Sequence, residues 1–104
     1  MVGRKNLSAC LVMGILAPFV AGCAGKSPEG AILFERERCI YCHSFKGHGA
    51  HVGPDLTDIA KRRGDDWIRD QIRNPRLHNP SPGMPGHEHL SRRQIDALIR
   101  YLKS

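Results

Sequence analysis

Residues 39–43 read Cys39-Ile40-Tyr41-Cys42-His43. Two cysteines two residues apart, followed directly by a histidine, form the signature of covalent haem attachment. Both thiols make thioethers to the haem vinyl groups, and the histidine ligates the iron. The spacing has a physical reason: one tight turn presents both sulfurs to one edge of the porphyrin, and the next side chain then points at the metal. Two other readings compete. A zinc half-site wants a second ligand pair at its own spacing, and the other cysteines, Cys10 and Cys23, do not form one. A thiol redox pair wants a βαβ context, and no strand-like run flanks this motif.

The chain has 104 residues, room for one small domain. Residues 1–22 read as an export signal, with Arg4 and Lys5 as the positive region and a mostly apolar run from Leu7 to Val20. That run is too short for a bilayer core, which needs about 20 apolar residues, and Pro18 interrupts it. An uncleaved anchor is the weaker reading. The run closes on Val20-Ala21-Gly22-Cys23, which resembles the lipobox of bacterial lipoproteins. That resemblance implies cleavage before Cys23 and acylation of its thiol and new amino terminus. The alternative is ordinary signal-peptidase cleavage near Ala24, with Cys23 lost. Several acyl chains would anchor stably, since each buried CH₂ contributes about 0.8 kcal/mol. Cys10 is then removed, Cys23 is lipidated, Cys39 and Cys42 hold haem, and no disulfide is needed. Residues 23–27 form a short tether and residues 28–104 the domain.

The formal net charge is +6, and without Arg4 and Lys5 it is +4. So mild a basic balance, with no aromatic-interleaved basic patch, gives no case for nucleic acid. A domain this small buries a limited core and needs a staple, which a covalent macrocycle would supply.

Ser27-Pro28-Glu29 reads as a helix start, with Ser27 as N-cap, and the helix should run to about Arg38. Gly30 and Phe34 share one face, and the glycine suggests close approach of another backbone. The clearest helix is the last. Ser91 and Gln94 fit a capping box, and Ile95, Leu98, Ile99 and Leu102 follow an i, i+3, i+4, i+7 apolar face. Lys103 suits the negative helix end. These two helices are expected to cross at Gly30 and Phe34 against Leu98 and Tyr101. Between them, Gly53-Pro54-Asp55-Leu56 is a turn, and Thr57 or Asp58 caps a short helix through Arg63 that Gly64 ends. Asp65 then caps a helix from Asp66 to about Arg73, with Trp67, Ile68 and Ile72 inward, closed by Asn74-Pro75. From Pro75 to His89 the chain is too rich in Pro, Gly and His for helix or sheet. A loop of this length in a small domain is usually functional or disordered. No repeat and no convincing strand is visible.

Within that loop, Gly83-Met84-Pro85 holds the only methionine of residues 23–104. An exposed methionine has little to fill in a loop almost without other apolar residues. As a thioether ligand it makes sense, because sulfur stabilises ferrous iron and raises the potential. His78, His87 and His89 flank it, with His48 and His51 close behind the haem motif. Imidazole also ligates haem iron, so bis-histidine ligation stays open beside the reading of solvated surface histidines.

From Gly30 with Leu33-Phe34, through the pentapeptide and Gly53-Pro54-Asp55-Leu56, to Asn74-Pro75, Met84-Pro85 and Tyr101-Leu102, residues 28–103 resemble the small class I c-type cytochromes. The resemblance implies an all-α fold wrapped around one covalent haem c, with crossing terminal helices and His43 and Met84 as axial ligands. It implies that the Pro54 carbonyl accepts a hydrogen bond from the His43 ring, that Trp67 and Arg62 lie near the propionates, and that Gln71 falls on the pocket side near the Met84 sulfur. The histidines around Met84 depart from the family pattern. The function implied is transfer of single electrons between redox protein partners in a respiratory chain, by a monomer that is not itself an enzyme. It would be lipid-anchored in a bacterial cell envelope, facing the periplasm or outer surface. A basic rim of Lys61, Arg62, Arg63, Arg73, Arg76, Arg92 and Arg93 would meet an acidic partner. The alternatives are a component of a larger oxidase or reductase, and a haem-based sensor or peroxidase with a labile sixth ligand.

Overall fold

A computed structural model describes residues 28–104. Along them run α1 (Pro28–Arg36), a 3-10 turn (Cys39–Tyr41), β1 (Ser44–Phe45), β2 (His48–Gly49), α2 (Ile59–Arg62), α3 (Asp65–Arg73), a second 3-10 turn (Pro75–Leu77) and α4 (Arg92–Leu102). The export signal, the tether, Cys23 and the proposed Ser27 cap lie outside the described residues. Among the described residues, no helix is long and apolar enough to cross a membrane.

The capping box at α4 is complete. The Ser91 hydroxyl accepts from the Gln94 backbone amide at 3.1 Å, and the Gln94 side-chain oxygen Oε1 accepts from the Ser91 backbone amide at 2.9 Å. Its apolar face, with Ile95, Ala97, Leu98, Ile99 and Leu102 all buried, packs on Leu33 and Phe34 of α1. The terminal helices cross as expected, and Gly30 lies on the Ala97 carbonyl and on Tyr101. Beside this crossing, the Phe34, Phe45 and Tyr101 rings meet as a tilted trio, with centroids 4.8–6.3 Å apart. That range favours aromatic pairs.

α3 turns Ile68 into the core and leaves Trp67 and Ile72 half-buried against it. Arg69 ties α3 to α4 by bonding Asp66 at 2.6 Å and Asp96 at 2.9 Å. Its first turn starts one residue early, with Gly64 at the cap position and Asp65 inside the helix, where its carboxylate meets Lys103 at 3.1 Å. At α2, Asp58 occupies the cap position without a side-chain cap bond. Thr57 instead donates its hydroxyl to Asp55 at 2.7 Å and accepts from the Lys46 amide at 2.9 Å.

Three expectations need correction. α1 ends at Arg36, and Arg38 takes a left-handed conformation with φ 66°, because the chain must turn sharply to enter the cysteine motif. A short antiparallel hairpin exists where the sequence shows no convincing strand: Ser44 pairs with Gly49 and Phe45 with His48. Its two-residue turn, Lys46-Gly47, has φ of 52° and 85°, the positive pair that tight hairpins use. Two-residue strands carry no period for a sequence reading to detect. Lastly, the Pro75 to His89 stretch does contain helix, a single 3-10 turn capped by the Asn74 side chain on the Arg76 amide.

Gly30→Ala tests the crossing. Alanine would gain about 1 kcal/mol of helix propensity, but its Cβ would sit 2.6 Å from Tyr101 Cβ and against the Ala97 carbonyl, which cannot swing aside. Overpacking of this kind costs roughly 1–3 kcal/mol, so the variant should melt lower in a thermal scan. An unchanged or raised Tm would show that the helices part without penalty.

Candidate functional site

The cysteine motif sits on a turn stitched from both sides. Within it, the Cys42 and His43 amides donate to the Cys39 carbonyl at 3.1 and 2.8 Å. From outside, Ala50 donates to the Ile40 carbonyl at 3.1 Å, Gly53 to Cys42 at 2.6 Å, and Leu56 to Ser44 at 2.8 Å. Residues 50–56 thus run alongside the motif and hold it in place.

That segment also clamps the His43 ring. Nδ1 lies 2.7 Å from the Pro54 carbonyl oxygen. A carbonyl can only accept, so Nδ1 carries the proton and Nε2 keeps its lone pair for a metal. Gly53 lies flat against the ring, and a Cβ there would fall 2.7 Å from Cε1 and 3.0 Å from Nδ1. The Pro54 acceptor is where the family resemblance puts it.

The thiols are unpaired: Cys39 and Cys42 form no disulfide. Burial pushes the Cys39 thiol up to about 11. A redox dithiol works through a thiolate of lowered pKa, so this environment disfavours thiol exchange. Among the described residues, no three His, Cys, Asp or Glu side chains gather as a metal site.

Met84 is half-buried, not exposed as the loop composition suggests. Gln71 on α3 points its Nε2 at the Met84 sulfur, 3.5 Å away. The loop is pinned by the His87 amide, which donates to the Ile72 carbonyl at 2.9 Å, and by buried Leu90. A cleft of about 1000 Å³ runs along the loop beside Arg73, Arg76, Met84 and His89. None of Cys39, Cys42 or His43 lines it, so it is not the site that the motif builds.

The flanking histidines are engaged, although His78 and His89 remain exposed and only His87 is buried. His78 stacks on Trp67, with centroids 4.2 Å apart and planes 7° apart, and its Nδ1 lies 2.8 Å from Gln71 Oε1. His89 donates to the Glu37 carboxylate at 2.6 Å, and buried His87 faces the Glu37 carbonyl at 3.4 Å. His48 and His51 are exposed. The guanidinium over the Trp67 ring belongs to Arg63, 4.4 Å from its centroid, while Arg62 is exposed at the end of α2. Of the basic rim, Lys61, Arg92 and Arg93 pair with Asp58, Asp96 and Glu29.

Glu37 therefore links the two halves of the site: it lies two residues before Cys39 and holds the histidines that follow Met84. Sequence reading passed over it, because partners 50 and 52 residues away leave no local pattern.

These residues fit a haem. His43 offers a free, oriented nitrogen, and the half-buried Cys39, Ile40, Leu56, Ile59, Trp67 and Ile72 offer apolar surface at the core's edge. The cytochrome c family profile matches residues 27–104.

The chain belongs to the cytochrome c family.

The cytochrome is 31 % identical over 84 residues to cytochrome c oxidase subunit 2 of Alkalihalophilus pseudofirmus, across 73 % of this chain and 25 % of that protein. It is 30 % identical over 80 residues to the C subunit of nitric oxide reductase from Stutzerimonas stutzeri, across 72 % and 55 %. It is 26 % identical over 102 residues to cytochrome c-555 of Methylococcus capsulatus, across 96 % and 80 %. The matched part thus spans a quarter of the first relative and about half of the second. Membership makes this cytochrome an all-α, electron-transfer protein with covalent haem c, and Cys39 and Cys42 occupy the attachment positions.

The Glu37 link makes a pH prediction. Burial opposes the Glu37 charge, but the His89 hydrogen bond and charge and the Arg36 hydrogen bond outweigh it and hold the carboxyl below its usual 4.5. A depressed carboxylate stabilises the fold fully above its unfolded pKa, and that stability is lost as pH falls through the lower, folded value. Glu37→Gln should lose up to about 1 kcal/mol at pH 6 and destabilise less steeply on acidification in melts between pH 6 and 3. Parallel curves for the two proteins would show that Glu37 bears no such role.

Proposed function

We propose that this cytochrome is a lipid-anchored, monomeric, monohaem electron carrier, with His43 and Met84 as axial ligands. It serves redox protein partners of a respiratory chain in a bacterial cell envelope and catalyses no reaction of its own. The observation that carries the reading is the placement of the loop methionine. Its sulfur takes an amide hydrogen bond from α3, and its loop is tied through Glu37 to the residues just before Cys39.

The bound haem c supplies an iron that alternates between ferric and ferrous states, one electron at a time. The protein does the rest. Cys39 and Cys42 hold the macrocycle as thioethers. The Pro54 carbonyl and Gly53 set the His43 ring plane, and hydrogen bonding at Nδ1 raises the basicity of Nε2. Met84 supplies a soft sulfur that favours the ferrous state. Two protein ligands leave no coordination position for a substrate. The anchor rests on Val20-Ala21-Gly22-Cys23, and the envelope location follows from it. Of the rim, Arg62, Arg73 and Arg76 remain to meet an acidic partner, since Arg63 is laid over the Trp67 ring. The resemblance puts Trp67 beside the propionates, and there Arg63 takes the place expected of Arg62.

A second reading has its own support. Two of the relatives are named as subunits, of cytochrome c oxidase and of nitric oxide reductase. In that reading the same domain delivers electrons inside a larger assembly. Detergent extraction and affinity capture separate the two: a free carrier emerges alone, and a component of an assembly brings stoichiometric partners.

The ligand assignment predicts a low-spin iron with a weak sulfur-to-iron band at the red end of the ferric spectrum. Met84→Ala should abolish that band and lower the midpoint potential; an unchanged spectrum would remove Met84 as a ligand. Ready carbon monoxide binding by the native reduced protein at neutral pH would favour the sensor or peroxidase reading. Cys23→Ser should move the protein from the membrane to the soluble fraction and end labelling by radioactive fatty acid. Membrane association that survives the change would refute the lipid anchor.

A further inference from the structure

The Gln71 side chain has two chemically opposite ends, and only one suits a thioether. Its Nε2 faces the Met84 sulfur at 3.5 Å, and its Oε1 lies 2.8 Å from His78 Nδ1. Sulfur has only lone pairs to offer there, so the amide nitrogen must point at it, the amide oxygen must point at His78, and Nδ1 must carry the proton. Without a donor at His78, the amide is free to turn its carbonyl oxygen, also rich in lone pairs, towards the sulfur.

His78 is itself held for this task. Its ring stacks on Trp67, one helical turn before Gln71 on the same face of α3. Arg63 lies over the Trp67 ring at 4.4 Å. The His78 amide donates to the Pro75 carbonyl at 3.1 Å, closing the second 3-10 turn, whose entry the Asn74 side chain caps. The other loop histidines cannot substitute, because His87 and His89 are turned towards Glu37.

We propose that His78 is a positioning residue for the Met84 sulfur, acting through Gln71. Its Nδ1–H locks the amide so that Nε2–H donates to the sulfur. Donation draws electron density from the sulfur and weakens its support of the electron-poor ferric iron, which raises the potential. This rests on the reading of Met84 as the axial ligand.

The test uses the haem-loaded protein and a double-mutant cycle. His78→Phe keeps a flat ring to stack on Trp67 and deletes the donor; Gln71→Leu deletes the amide. Midpoint potential and the red ferric band are read for each variant and for the pair, with melts to show that the fold persists. Each single change should shift the midpoint downward and perturb the band, and the double variant should go no further than Gln71→Leu. An unchanged midpoint and band in His78→Phe, or shifts that add in the double variant, would overturn the proposal while leaving Met84 as ligand. A parent protein without the red band, or a Met84→Ala variant that keeps it, would overturn the ligand reading and this proposal together. Should His78→Phe unsettle the loop, nuclear Overhauser contacts in the reduced, diamagnetic parent decide: the Gln71 side-chain NH₂ protons should lie against the Met84 methyl group, and contacts of those protons with the His78 ring instead would refute the lock.

Discussion

The close approach of α1 and α4 at Gly30 is the constraint on which the rest of the molecule depends. With no side chain at that position, two backbones meet, and the Ala97 carbonyl and Tyr101 fill the space. The approach lets Phe34, Phe45 and Tyr101 gather beside it. Phe45 lies on β1, two residues after His43, so the same packing that joins the terminal helices also seats the far end of the cysteine motif. Site and core meet here, because the chain runs from the haem-binding turn directly into the aromatic trio.

The site is built in two halves that use different physics. Around His43 the chain relies on backbone: three amides donate from residues 50–56 into residues 40–44, and a carbonyl orients the ring. Around Met84 it relies on side chains: Gln71, His78, Trp67 and Arg63 form a connected set, and Glu37 joins the loop to α1. A backbone frame tolerates sequence change and holds geometry stiffly. A side-chain frame can be retuned by single substitutions.

Much of this was legible in the sequence, because it is local. The pentapeptide, the Ser91–Gln94 capping box, the α4 apolar face and the Asn74-Pro75 stop each lie within a few residues. Gly30 announced a close approach, though not that Ala97 would be its neighbour, since register between helices 67 residues apart is decided by packing. What escaped was tertiary. Glu37 reads as one more charge on a polar helix end until the fold brings His87 and His89 to it. The loop histidines read as solvated because composition cannot show that one stacks on a tryptophan and two meet Glu37, His89 at its carboxylate and His87 at its backbone carbonyl. Arg63 and Arg62 are equivalent in a basic run, and only the end of α2 decides which one reaches Trp67.

The crossing of α1 and α4 has a consequence for how the molecule is made. Its contacts are among the most distant in the described chain, so the loop that must close spans nearly the whole domain, and such closure comes late in folding. Afterwards Cys39 is half-covered against the core, and burial pushes its thiol up to about 11. The two attachment thiols therefore differ in access once the last helix has docked, Cys39 half-covered and Cys42 still exposed.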